Sequence, residues 1–163
     1  MNAKTQYERE QFLVYLSLGS NIEPEINLLK AIQGLKSVFE VVAVSSIWQS
    51  PAVGFEGDDF LNAVVEIKTP LSPDSLKNEI LRPLEALLGR TRTEEKFSPR
   101  MVDIDILLYQ NKLMDEELWS QAYLAVPLAE LIPDYVREET GETLIEVARN
   151  LQSTSQIQIR KGL

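Results

Sequence analysis

The sequence predicts an α+β fold, an antiparallel sheet with helices on one face. Three observations predict it. Short β-rich runs alternate with amphipathic helical stretches in the order β-α-β-β-α-β. Glycine or proline marks most changes of period. Further helical stretches follow only toward the C-terminus.

Phe12 to Leu18 (FLVYLSL) reads as the first strand, and Gly19-Ser20-Asn21 breaks it. From Pro24 to Phe39, Ile26, Leu29, Ile32, Leu35 and Phe39 recur at three-to-four spacing, an amphipathic helix with Pro24 near its first turn. Val41 to Trp48 reads as a second strand, Ser50 to Asp59 as a loop, and Phe60 to Lys68 as a third strand. Ser72 and Pro73 suit the cap and first position of a helix running to Leu88. Pro83 is expected to kink that helix, and Gly89 to end it. A polar loop over Thr91 to Pro99 leads to a fourth strand, Val102 to Tyr109, in which acids alternate with apolar residues. A turn over Gln110 to Trp119 and short helices at Tyr123 to Leu131 and Leu144 to Leu151 complete the pattern. The βαββαβ core with additional C-terminal helices is that of a ferredoxin-like α/β sandwich.

At 163 residues, one domain spanning 1–163 is expected, with the polar residues 1–11 as a disordered leader. A chain of this size buries roughly 70% of the surface its unfolded form exposes, so no staple is required. It contains no cysteine and no histidine. Thiol nucleophiles, disulfides, Cys/His zinc sites and histidine bases are therefore excluded. Any metal must take oxygen ligands, which favours a hard cation such as magnesium. A net charge of −9 argues against nucleic acid and anionic membranes as partners. The absence of cysteine fits a cytoplasmic protein. One segment departs from the acidic balance: Arg82, Arg90, Arg92, Lys96 and Arg100 outnumber Glu85, Glu94 and Glu95. A local basic patch on an acidic chain suits a small polyanion.

Asp103-Ile104-Asp105 is the strongest local signal. On a strand, residues i and i+2 project from one face, so the two carboxylates repel each other unless a cation lies between them. A solvated strand face is the plain alternative. Guanidiniums at Arg90, Arg92 and Arg100 suit phosphate, or else complement a helix C-terminus. Gly19-Ser20-Asn21 offers either a close backbone approach to a ligand or an ordinary turn. Ser50, Pro51, Val53, Phe60, Asn62 and Phe97 combine apolar faces with an amide, as a flat heterocycle needs and as core packing also uses.

These segments together resemble the 6-hydroxymethyl-7,8-dihydropterin pyrophosphokinase family. The resemblance runs from about Phe12 to Pro133 and is carried by LSLGSNIEP, VSSIWQSPAVGFEGDDFLNAVVEI, LGRTRTEEKFSPRMVDIDILLY and VPLAELIPD. It implies a ferredoxin-like fold and transfer of pyrophosphate from ATP to a pterin alcohol in folate biosynthesis, giving AMP and the pterin diphosphate. By position it implies that Asp103 and Asp105 hold two magnesium ions. It places Arg90, Arg92, Lys96 and Arg100 at the triphosphate, with Arg90, Arg92 and Arg100 catalytic. It puts Ser50, Pro51, Val53 and Asn62 in the pterin pocket, and Phe60, Phe97 and Tyr123 on its aromatic walls. Ile106 and Glu85 fall near the nucleotide. A cytoplasmic monomer acting on small molecules is implied.

The chain also departs from the family. A Val/Ile-Pro-His-Pro stretch and an arginine usually precede the aromatic matched by Tyr123. Here Leu118 runs through Trp119-Ser120-Gln121 to Ala122. Phe97 and Ser98 stand where tryptophan and glycine are common. A second reading is therefore a catalytically weakened paralogue that binds a pterin-like heterocycle. A third is a ferredoxin-like module that binds small metabolites, for which Asp-x-Asp has no role.

Overall fold

In the computed structural model, residues 10–89 and 102–163 are described. The elements run β1 (Phe12–Ser20), α1 (Pro24–Val38), β2 (Glu40–Val44), β3 (Trp48–Ser50), β4 (Phe60–Thr69) and α2 (Pro73–Ser75). A π-helical turn (Leu76–Leu81) leads into α3 (Arg82–Leu87). Then come β5 (Asp103–Tyr109), β6 (Lys112–Leu113), a 3-10 turn (Glu116–Trp119), α4 (Ala122–Leu131), α5 (Leu144–Ser153) and β7 (Gln158–Ile159). The strands form a seven-stranded sheet in the order β6-β5-β1-β4-β3-β7, and β2 also pairs with β4. Every pairing is antiparallel. Glu10 and Gln11 are described; the rest of the expected leader, residues 1–9, lies outside the described residues.

β1 sits between β4 and β5, and its alternation builds two cores. Val14, Leu16 and Leu18 point to one face, where Leu28, Ala31, Ile32 and Leu35 of α1 meet Leu76, Leu81 and Ile104. Tyr15 points to the other, where Val64 and Leu107 meet Leu124, Leu128 and Ala148 of α4 and α5. The C-terminal helices thus cover the sheet face opposite α1 and α3, so the sheet carries helices on both faces rather than the one expected, because both faces of its central strands are apolar. On the first face, a Cβ at Gly34 would stand 2.7 Å from a Leu84 methyl, so glycine there lets α1 and α3 approach closely.

Two expected elements differ. The strand expected over Val41 to Trp48 is two strands, separated at residues 45–47. Ser45 replaces part of the ladder: its N–H donates to the Val64 carbonyl at 2.9 Å, and its Oγ accepts from the Val64 N–H at 2.8 Å. Glu130 of α4 then accepts from the Ser46 N–H, the Ser46 hydroxyl and the Trp48 indole N–H. Pro83 does more than kink its helix. A proline ring clashes with the carbonyl four residues back. Here the preceding turn widens, with the Arg82 N–H bonding to the Lys77 carbonyl five residues back. Gly89, at φ 92°, closes the helix as expected.

The Gln110-Asn111 turn has φ of 52° and 64°, the positive pair that a two-residue β5–β6 hairpin requires. β7 lies in the tail after Ser153, for which the sequence suggested no element; it pairs with β3 at Trp48 and Gln49. Among the described residues no helix is long and apolar enough to cross a membrane.

Replacing Glu130 with alanine unpairs the buried Trp48 indole and the Ser46 main chain. A loss of about 1–3 kcal/mol in urea unfolding is expected. Burial, and then Glu66 beside it, push the Tyr15 phenol up to about 12. Above pH 10 the unfolded chain releases this proton while the folded chain keeps it, so stability falls as pH rises from about 10 to 12. Tyr15→Phe is expected to lose stability less steeply over that window, as thermal melts at a series of pH values will show.

Candidate active site

The three central strands set the geometry. Gly19 of β1 is paired with Asn62 on β4 and with Asp103 on β5, and Asn62 pairs in turn with Trp48 on β3. One row therefore crosses the sheet from Asp103 through Gly19 to Asn62. Adjacent strands lie about 4.8 Å apart, so Asp103 and Asn62 are separated by roughly 10 Å, with a glycine between them. Asp103 and Asp105 share the face of Leu107, and Asn62 shares that of Val64, which is the α4–α5 side of the sheet. The metal-type carboxylates and the proposed heterocycle pocket thus open on one face.

At the Asn62 end, the amide N–H group donates to the Ser50 hydroxyl at 2.7 Å and to the Trp48 carbonyl at 3.2 Å. Asn62 and Ser50 are buried. With its donors used inward, Asn62 keeps Oδ1 as an acceptor, toward the Gly19 position: a Cβ on Gly19 would stand 3.4 Å from it and 3.7 Å from the Phe60 ring. Gly19 leaves the floor of the cleft open, which gives its place in the sequence a spatial reason. Phe60 is half-buried, and Phe55 from the loop packs edge-on against it at 6.3 Å. Phe55 is an aromatic missed by sequence reasoning. Its signal was an aromatic side chain between Gly54 and Gly57 in the loop before β4. Pro51 and Val53 are exposed at the same loop. Gln49 donating to Asp59 and Asn21 donating to the Asp58 carbonyl hold its base. Tyr123 is half-buried on α4 and packs with the α4–α5 cluster.

At the other end, Asp103 and Asp105 are both half-buried. Burial pushes the Asp105 carboxyl above the usual carboxylate range, Asp103 adds to the rise, and the Arg82 hydrogen bond and charge pull it back in part. The pair is thus held against its own repulsion. Arg82 donates to Asp105 Oδ1 at 3.1 Å, to the Ile104 carbonyl at 3.0 Å and, through a short bond, to Glu85. Burial works against the Arg82 charge, but Glu85 and then Asp105 outweigh it and hold its pKa above the ordinary value.

Among the described residues no three acidic side chains gather as a ready-made cation cage. Two carboxylates facing one way still fit magnesium, which takes one or two carboxylates and completes its shell with water and phosphate. Glu85, expected near a nucleotide, is 1% exposed and turned onto Arg82. Ile106 packs toward the α1–α3 core, on the face opposite the two aspartates. Arg90, Arg92, Lys96, Phe97 and Arg100 lie outside the described residues.

Residues 15–133 match the model of the 7,8-dihydro-6-hydroxymethylpterin-pyrophosphokinase family. The chain belongs to that family. A 2-amino-4-hydroxy-6-hydroxymethyldihydropteridine pyrophosphokinase of Synechocystis is 31% identical over 98% of this chain and 86% of its own length. That of Methylorubrum extorquens is 38% identical over 84% of this chain and 92% of its own length. In three dimensions, a Plasmodium falciparum HPPK-DHPS crystal structure superposes with a TM-score of 0.71 at 12% identity, covering 90% of this chain and 42% of that one. The likeness establishes the shared fold, and the chain spans under half the length of that structure's chain. The ferredoxin-like α+β class expected from the pattern of elements is thereby the pyrophosphokinase family's own.

Asn62→Ala leaves the buried Ser50 hydroxyl and Trp48 carbonyl without their shared donor. A folded protein less stable by about 1–3 kcal/mol is expected in denaturant titration.

Proposed function

We propose that this chain carries out its family's reaction at the cleft spanned by Asp103, Gly19 and Asn62, transferring pyrophosphate from ATP to 6-hydroxymethyl-7,8-dihydropterin. As a pyrophosphokinase-family member it is a transferase of folate biosynthesis with ATP as co-substrate. The observation that carries the site assignment is the row that sets Asp103 across Gly19 from the buried amide of Asn62, with Asp105 two residues along β5 on the same sheet face.

Asp103 and Asp105 would hold two magnesium ions. Bound there, the ions would neutralise phosphate charge and acidify the pterin hydroxyl. The remaining work falls to the chain's own residues. Asn62 Oδ1 accepts from the amino edge of the pterin, with Ser50 fixing the amide. Phe60, joined by Phe55, offers an apolar wall to the ring, with Pro51 and Val53 at the rim and Tyr123 on the α4 side. Arg90, Arg92, Lys96 and Arg100 bind the triphosphate, Arg90, Arg92 and Arg100 stabilise charge on the transferring group, and Phe97 is an aromatic wall for the pterin. Ile106 and Glu85 lie near the nucleotide, Ile106 with its side chain turned to the α1–α3 core. The pterin hydroxyl oxygen attacks the β-phosphorus, the bond to the α-phosphate bridging oxygen breaks, and AMP leaves. With no histidine in the chain, the acidified hydroxyl gives its proton to water. The same reading makes the protein a cytoplasmic, monomeric, single-domain enzyme acting on small molecules.

The short segment after Leu118 motivated a binding-only reading. It ends the 3-10 turn at Trp119 and passes through Ser120 and Gln121 straight into α4. Family membership and the named relatives favour the enzyme over that alternative.

Protein mixed with ATP, magnesium and 6-hydroxymethyl-dihydropterin is expected to release AMP. Asp103→Ala is expected to lower the rate by at least a hundredfold while pterin binding, measured by calorimetry, survives. Turnover equal to wild type in that variant would reject the metal assignment.

A further inference from the structure

Arg82 was read in the sequence only as part of a basic segment. In the fold it meets three acceptors at once: Glu85, the main-chain carbonyl of Ile104 and Oδ1 of Asp105. β6 pairs only with Leu108 and Tyr109, so among the described strands β5 has an open edge at residues 103–105. Arg82 takes up part of that edge. Its location follows from the wide turn before Pro83, which sets where the first residue of α3 faces.

We infer that Arg82 is a positioning residue for Asp105, holding Oδ1 so that Oδ2 is presented to a divalent cation. The inference rests on the metal reading of Asp105 given above. Metal-ligating carboxylates are commonly oriented by a hydrogen bond to their other oxygen, and loss of such a partner weakens metal binding about 10–100-fold. A guanidinium would also repel a cation, and that effect has the opposite sign. Glu85 decides between the two. It is 1% exposed and bonded to Arg82, so its charge offsets the guanidinium where the guanidinium sits. What Arg82 then contributes at Asp105 is chiefly direction. Glu85 also anchors it: were Arg82 to swing toward solvent, a buried carboxylate would lose this ion pair.

The test titrates Mn2+, followed by electron paramagnetic resonance, into the full chain with α,β-methylene-ATP. Wild type is compared with Arg82→Gln, Arg82→Lys and the double variant Arg82→Gln/Glu85→Gln. The double variant keeps the experiment readable if the single changes unfold, because it removes the buried carboxylate together with the guanidinium that pairs with it. Mn2+ affinity is expected to fall about 10–100-fold in each folded variant. Pterin affinity by calorimetry should stay within about twofold. Lysine should not rescue, since it cannot reach three acceptors in this arrangement. In an Asp105→Asn background, Arg82→Gln should cause little further loss. Unchanged or tighter Mn2+ binding in a folded Arg82 variant overturns the inference and leaves the metal reading standing. Absence of Mn2+ binding by wild type overturns the metal reading, and this inference with it.

Discussion

β1 lies between β4 and β5 in a register that the rest of the molecule depends on. Val14, Leu16 and Leu18 face α1, so Tyr15, Ser17 and Gly19 face the other way. A slip of one residue would reverse every side chain on the strand and expose both cores. Burial on both faces makes that slip prohibitive. The same register brings Gly19 between Asp103 and Asn62. The alternation that builds the two cores therefore also aligns the candidate site, and selection for packing holds the site geometry in place.

Electrostatics pull against packing at one end of that row. Two carboxylates on one strand face, both half-buried, disfavour their own charged forms. Arg82 relieves part of the strain and is itself tied down by Glu85. A buried ion pair of this kind is weak as a source of net stability, because desolvation offsets most of the attraction. Its value lies in direction: it fixes where the Asp105 carboxylate points. At the other end, neutral groups do the equivalent work. Ser50 and the Trp48 carbonyl take both donors of the Asn62 amide and so set which of its atoms faces the cleft. Each end of the row is thus oriented by a hydrogen-bonded partner from a neighbouring element.

Much of the fold was legible because its signals were local. The period of apolar residues marked α1, Ser72 and Pro73 marked α2, and Gly89 marked the close of α3. Misreadings came where distant residues decided the outcome. Val41 to Trp48 has uniform β propensity, yet it breaks at residues 45–47. There, Ser45 bonds to Val64 and Glu130 reaches across from α4, contacts 19 and 84 residues apart in sequence. β7 was invisible for the same reason: two exposed residues form a strand only because β3 offers an edge. Phe55 and Arg82 were passed over as site residues because neither position means anything until Phe60 and Asp105 are beside it.

The sequence by itself determined the alternation of strand and helix, the like-charged pair on one strand face, and a donor set open only to a hard cation, since with no cysteine or histidine only oxygen ligands remain. These follow from residue type and near-neighbour spacing. Only the tertiary structure decided that Asn62 stands across Gly19 from Asp103, that Glu85 faces Arg82 inside the protein, and that Ile106 looks to the opposite face from the aspartates. Those placements depend on strand register and on helix azimuth. Both are set by contacts between residues far apart in the chain, where local periodicity carries no information.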